Sequence, residues 1–131
     1  MAQTIALTGC ELTVVARHPR QRALLEARDI PWVTEQDVIP GRMDLVVDTT
    51  GTADGFALAR CSVRPRGTIV LKSTYKGDLT VNFSSLVVDE ITLDSYTQYL
   101  SGDDFLFTVP LAAMGRVCDE IVQVFDALVL W

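Results

Sequence analysis

The sequence is poor in the side chains that hold metals or drive nucleophilic catalysis. It has one histidine, His18, and three cysteines, Cys10, Cys61 and Cys118, spread over 131 residues. No Cys-x-x-Cys pair occurs, which removes the common zinc spacings, and an odd, scattered set of thiols suggests neither a disulfide framework nor an oxidising compartment. Neither a Ser-His-Asp nor a Cys-His arrangement is recognisable. A glycine-rich turn is also missing, since Gly9, Gly51, Gly67 and Gly77 stand alone. Cations are outnumbered, with 11 Lys and Arg against 17 Asp and Glu and a net charge of -6. That balance disfavours nonspecific nucleic-acid binding, which needs cations to neutralise phosphates. It leaves open a nucleotide, whose phosphates can rest on backbone N–H groups and one or two arginines. The longest apolar tract, Phe105 to Met114, is interrupted by Thr108 and Pro110 and is too short to span a bilayer. The start, Met-Ala-Gln-Thr, lacks the basic residues and apolar run of a signal peptide. The expectation is a cytoplasmic protein with reduced thiols and no membrane or nucleic-acid partner.

What is present is the pattern of one α/β domain. Forty-nine per cent apolar and 21 per cent charged residues suit a globular chain, and this length buries roughly two-thirds of its unfolded surface. Ala2, Ile5 and Ala6 recur at helical spacing before Gly9, a suitable C-cap. Leu12 to Ala16 reads as a strand. His18-Pro19 starts a helix with proline at its permitted first position, and Ala23, Leu24 and Ala27 form the expected buried stripe. Pro31 to Val33 reads as a short strand and Glu35 to Arg42 as a loop. Asp44 to Asp48 is a buried strand, followed from Thr52 to Val63 by a helix whose inner face is Ala53, Phe56, Ala57 and Cys61. Pro65-Arg-Gly67 is a break before a strand at Thr68 to Leu71. Lys76-Gly-Asp78 is a turn, and Val87-Val88 and Ile91 to Leu93 read as further strand. Val117, Ile121, Val124, Phe125 and Leu128 share a helical face, with Asp119, Glu120, Gln123 and Asp126 opposite.

Strands separated by single helices imply parallel pairing and right-handed crossovers. Ligands bind beyond the carboxyl ends of such strands. Arg17, Thr49 to Gly51 and Lys72 to Thr74 therefore fall on one rim. The fold class is α/β, a partial Rossmann-like, mostly parallel sheet flanked by helices.

Four pieces carry a resemblance: Leu12-Thr-Val-Val-Ala-Arg-His-Pro19, Asp44-Leu-Val-Val-Asp-Thr-Thr-Gly51, Val63 to Tyr75, and Val87-Val-Asp-Glu-Ile-Thr92. In this order and spacing the segment Leu12 to Thr92 resembles the cofactor-binding domain of zinc-type medium-chain alcohol dehydrogenases. The resemblance implies a Rossmann-type half that holds NADP or NAD. Where NAD users often carry an acidic residue for the ribose hydroxyls, Arg17 stands, with His18 and Arg20 close by; that cation cluster suits the 2′-phosphate of NADP. The alternative is a solvated arginine beside a helix. Thr49, Thr50 and Gly51 would lie under the middle of the cofactor, or serve as an ordinary strand-to-helix turn with Thr50 or Thr52 as N-cap. Lys72, Ser73 and Thr74 would sit near the nicotinamide, or Lys72 would simply reach solvent.

Three departures qualify the resemblance. The family's first strand and glycine-rich turn would precede Met1, so the pyrophosphate lacks its usual cradle. The catalytic domain and its zinc ligands have no counterpart, so no zinc is expected in this chain. After Leu93 the pattern diverges: residues 1–93 are family-like and residues 94–131 read as a diverged helical tail of the same domain. Loss of the first strand would leave the middle of the sheet unpaired. The strands could close up in altered order, a second copy or complementing chain could fill the gap, or the apolar segment ending Leu128-Val-Leu-Trp131 could cover it. The expected function is an NAD(P)-binding domain related to enzymes of hydride transfer between NAD(P) and an alcohol or aldehyde, not catalytic alone. The alternative is a non-enzymatic Rossmann-derived module for oligomerisation or interaction. In the family, strands near Glu90 to Leu93 often join subunits, so a homo-oligomer is expected either way.

Overall fold

A computed structural model describes residues 2–7, 9–95 and 126–130, the last five, Gln3 and Thr4 by their backbone. Five residues of helix α1 (Ala2–Ala6) lead into strand β1 (Glu11–Val15), followed by α2 (Pro19–Glu26) and the short β2 (Trp32–Val33). A single 3-10 turn (Glu35–Asp37) precedes β3 (Met43–Asp48), α3 (Ala53–Ser62) and β4 (Val63–Leu71). Helix α4 (Phe83–Val88), β5 (Thr92–Ser95) and β6 (Asp126–Leu130) complete the described elements. None of the described helices is long and apolar enough to cross a membrane.

The six strands form one sheet in the order β2-β1-β6-β3-β4-β5, and every neighbouring pair is parallel. This is the doubly wound 3-2-1-4-5-6 arrangement of dinucleotide-binding folds. The place of strand 1 in that order, however, is taken by the last described strand in sequence. β6 lies between β1 and β3, with Leu128 opposite Thr13 on one side and Val46 on the other. The gap foreseen at the centre of the sheet is thus filled by the carboxyl-terminal segment. Leu128 and Asp126, assigned by spacing to a helix, are in this strand instead. A central slot with unpaired backbone on both sides takes an extended segment, since a helix there would leave both ladders unsatisfied. The rest of that helical face, Val117, Ile121, Val124 and Phe125, lies outside the described residues.

Alternation along β3 divides the core. Leu45 and Val47 pack with Ile5, Leu12, Val14, Leu25, Ile30 and Val70 on one side, while Val46 packs with Val15, Ala59, Val63 and Ile69 on the other. Val14, Val46, Val47, Ile69 and Val70 are fully buried, as continuous apolar runs in a parallel sheet should be.

Helix α2 buries Leu25 alone; Ala23, Leu24 and Ala27 are exposed, contrary to the expected stripe. Its start is as expected, with Pro19 in the first turn and the Gln21 side chain accepting the His18 N–H at 3.0 Å. In α3 the inner face is Gly55, Phe56, Ala59 and Ser62, so Ala53, Ala57 and Cys61 point outward. Pro65-Arg-Gly67 does not precede the strand but lies inside it as a bulge: β4 begins at Val63, and pairing passes from Met43↔Val63 to Leu45↔Thr68. Arg66, at φ +64, donates its N–H to the Asp89 carbonyl at 2.8 Å. Val87 and Val88 belong to α4 rather than a strand, and Asn82 caps that helix by accepting the Ser85 N–H at 3.3 Å.

Candidate functional site

Parallel strands deliver their carboxyl ends to one edge, so the residues after β1, β3 and β4 converge there with the end of β6. Leu130 of β6 is paired with both Val15 and Asp48. The end of β6 therefore emerges between Ala16-Arg17 and Thr49-Thr50. This is where the connections diverge to opposite sides of the sheet, the position at which such folds form a crevice.

Thr49 to Gly51 and Lys72 to Thr74 are brought together into one knot. The Ser73 hydroxyl donates to the Thr49 carbonyl at 2.6 Å, and the Lys72 N–H donates to the Asp48 carbonyl at 2.9 Å. Gly51 has φ +64, and a Cβ there would come within 2.6 Å of the Thr74 carbonyl oxygen. Glycine is thus required twice over, for conformation and for close approach. Gly55, one turn into α3, has the same steric role: its Cβ would lie 1.8 Å from the Thr50 hydroxyl oxygen. Thr52 is the N-cap, accepting the Gly55 N–H at 3.1 Å.

Beneath the knot lies Asp48, 1% exposed. Its carboxylate accepts from the Thr50 N–H at 2.8 Å, from the Thr50 hydroxyl at 2.7 Å, and from the Tyr75 hydroxyl. Burial, the hydrogen bond to Asp48 and the negative charge of Asp48 together push the Tyr75 hydroxyl well above the usual phenol range. Sequence reading gave neither residue a role in the site. Asp48 looked like the polar end of a strand, and no local signal ties it to a tyrosine 27 positions away.

A cavity of about 510 Å³ opens beside β1, lined by Ala16, Arg17, Arg22, Thr34, Glu35, Gln36 and Asp54. Arg17 lies in it, but His18 and Arg20 are not among the lining residues. The second cation is Arg22, which sequence reading passed over. Its guanidinium donates to the carbonyls of Ala16 and Arg17 at 3.1 and 3.2 Å and lies 4.9 Å from the Trp32 ring centre, a cation–π geometry. Arg22 makes no ion pair among the described residues. Arg17 is instead paired with Glu35. Glu35 stands in the 3-10 turn that Thr34 initiates, its hydroxyl donating to the Asp37 carboxylate at 2.5 Å. Among the described residues no three His, Cys, Asp or Glu side chains gather to hold a metal.

The sheet order and the converging strand ends define a doubly wound α/β fold. Solved structures that share this fold include dehydrogenases. The chain is similar to L-idonate 5-dehydrogenase from Escherichia coli, with 13% identity, a TM-score of 0.61, and coverage of 92% of this chain and 44% of that one. It is similar to 2R,3R-butanediol dehydrogenase from Bacillus subtilis, with 15% identity, a TM-score of 0.62, and coverage of 94% and 45%. A third is Haloferax mediterranei glucose dehydrogenase in complex with NADP, zinc and gluconolactone, with 12% identity, a TM-score of 0.57, and coverage of 93% and 37%. The chain thus spans less than half the length of these proteins. No protein-family model matches the sequence, and no curated protein matches it.

Proposed function

We propose that the chain is a nicotinamide-nucleotide-binding domain related to zinc-type medium-chain dehydrogenases, rearranged so that β6 serves as the first strand, and that it does not catalyse hydride transfer by itself. The observation that carries this reading is the 3-2-1-4-5-6 order of parallel strands with a polar cavity at their carboxyl ends. The residues present fit the adenosine end of such a cofactor. The cavity is of ligand size, Arg22 offers a fixed cation with no carboxylate partner among the described residues, and Thr34, Gln36 and the Arg17–Glu35 pair offer donors and acceptors for ribose. The knot at Thr49 to Gly51 and Lys72 to Thr74 is the wall beyond it. Bound NAD or NADP would supply the hydride chemistry, whereas this chain would bind and orient. The acidic balance, the free thiol of Cys61 and the likeness to these enzymes support a cytoplasmic setting.

Titration of NADH and NADPH, followed by nicotinamide fluorescence, tests the reading. Saturable binding is expected, weakened about tenfold in Arg22→Gln, the loss of one charge-assisted hydrogen bond. No binding of either nucleotide at millimolar concentration to a protein with native circular dichroism would refute it.

A second reading, an oligomerisation module, rests on the opposite edge. β5 ends the sheet, Leu93 is 42% exposed there, and Phe83, Val87 and Val88 of the preceding helix are 66%, 74% and 79% exposed. Unpaired strand edges next to apolar surface favour self-association. Sedimentation should show a dimer that Leu93→Lys dissociates. A dimer without nucleotide affinity would favour this module over the cofactor domain.

A further inference from the structure

We infer that Glu35 is the specificity-determining residue of the cavity and that, through its pairing with Arg17, it turns the site toward the unphosphorylated ribose of NAD and away from the 2′-phosphate of NADP. The inference rests on the cofactor reading above and reverses the preference that Arg17 alone suggests. Three observations support it. The Arg17 guanidinium donates through Nε to Glu35 Oε1, so its charge is already answered. Both side chains remain accessible, 37% and 43% exposed, so a ligand can reach either. The lining holds two arginines and two carboxylates, Arg17 and Arg22 with Glu35 and Asp54, and so carries no net formal charge.

A phosphate bearing nearly two negative charges gains from a free cation and loses beside a carboxylate. It can reach only the guanidinium N–H groups of Arg17 that Glu35 leaves free, and Glu35 stays in the same cavity as a like charge. A ribose diol meets no such conflict, because its hydroxyls donate and a carboxylate only accepts. The pair joins the end of β1 to the turn after β2, two rigid strand ends, so its position does not depend on a long loop. His18 and Arg20 do not line the cavity, and Arg22, which does, already donates to the Ala16 and Arg17 carbonyls and shares the lining with Asp54.

The test compares 5′-AMP with 2′,5′-ADP, and NADH with NADPH, by calorimetry at fixed ionic strength. In the unaltered protein 5′-AMP should bind at least as tightly as 2′,5′-ADP. Glu35→Gln keeps the side-chain length and removes the charge; it should tighten NADPH about tenfold and change NADH less than about threefold, that being the scale of one charge-assisted contact. In Arg17→Gln the further change Glu35→Gln should alter the NADPH to NADH ratio less than about threefold, because the released cation is gone. If the unaltered protein prefers 2′,5′-ADP tenfold, or if Glu35→Gln leaves the ratio unchanged while both nucleotides bind, the role of Glu35 is overturned and the cofactor site stands. Should no nucleotide bind to natively folded protein, both fall together.

Discussion

Leu128→Pro is expected to unfold the protein or to lower its stability by about 3 kcal/mol or more, the scale of a proline placed inside a regular element. Leu128 is the middle residue of β6, and β6 is hydrogen-bonded to β1 and β3 at once. Whichever way its N–H points, a partner strand waits for it, and proline has none to give. The consequence exceeds one lost bond. If β6 leaves the sheet, Val14 and Val46, both 0% exposed, lose the strand between them, and the backbone edges of β1 and β3 open together. Against a typical stability of about 5–15 kcal/mol this is a large fraction. Thermal unfolding by far-ultraviolet circular dichroism reads the effect. A melting temperature within about 2 °C of the parent, far less than such a loss predicts for this size, would mean that β6 is not an integral strand of the sheet. Nucleotide affinity should fall with it, because the end of β6 forms the middle of the crevice.

The position of β6 shows where sequence reasoning succeeds and where it stops. Leu12 to Ala16, Asp44 to Asp48 and Thr68 to Leu71 were legible because a strand buried on both faces is a continuous apolar run with polar ends. Ala127-Leu-Val-Leu130 is the same kind of run, but a short apolar stretch fits a helical face as well as a strand. Only the vacancy between β1 and β3, a property of the whole sheet, chooses between them. Val87 and Val88 show the converse. Their β-branched side chains favour a pleated, half-buried surface; at 74% and 79% exposure they have none, and the cap at Asn82 sets the local structure. The inner faces of α2 and α3 were misphased because helices of 8 and 10 residues give too few turns to separate a buried stripe from chance alanines.

The site divides in the same way. The rim positions of Arg17, Thr49 to Gly51 and Lys72 to Thr74 were legible because topology alone places strand ends on a common edge. Glu35 and Arg22 were not, since each acquires its meaning from a partner: Glu35 from Arg17 across 18 residues, and Arg22 from Trp32 and two strand-end carbonyls. Gly55 carries a signal that a helix-interior glycine can give, a packing demand, here from Thr50.

Asp48→Ala is expected to cost about 3 kcal/mol, because it strips the acceptor from three donors at the junction of β3 and β4. The Thr50 N–H and hydroxyl would be left without that partner in a half-buried turn, while Tyr75, a partly buried residue, can turn its hydroxyl toward water, which holds the loss below three full penalties. Asp48→Asn should cost less, about 1 kcal/mol, since an amide oxygen still accepts from Thr50 and the tyrosine hydroxyl can accept from the amide nitrogen. Urea unfolding of the two variants and of Tyr75→Phe separates these terms, and the double variant Asp48→Asn/Tyr75→Phe should be non-additive. The pH dependence has a definite sign. The Tyr75 hydroxyl is raised above its unfolded value, so the folded state retains a proton that the unfolded chain releases. Its contribution is fully present below about pH 10, the unfolded phenol value, and is lost progressively as pH rises beyond it. Between pH 8 and pH 11 the parent should therefore lose more stability than Tyr75→Phe, the difference isolating this residue from the other tyrosines and the lysines. Equal losses in the two proteins would show that Tyr75 is not held by the Asp48 carboxylate, and the knot beneath the crevice would then need another fastening.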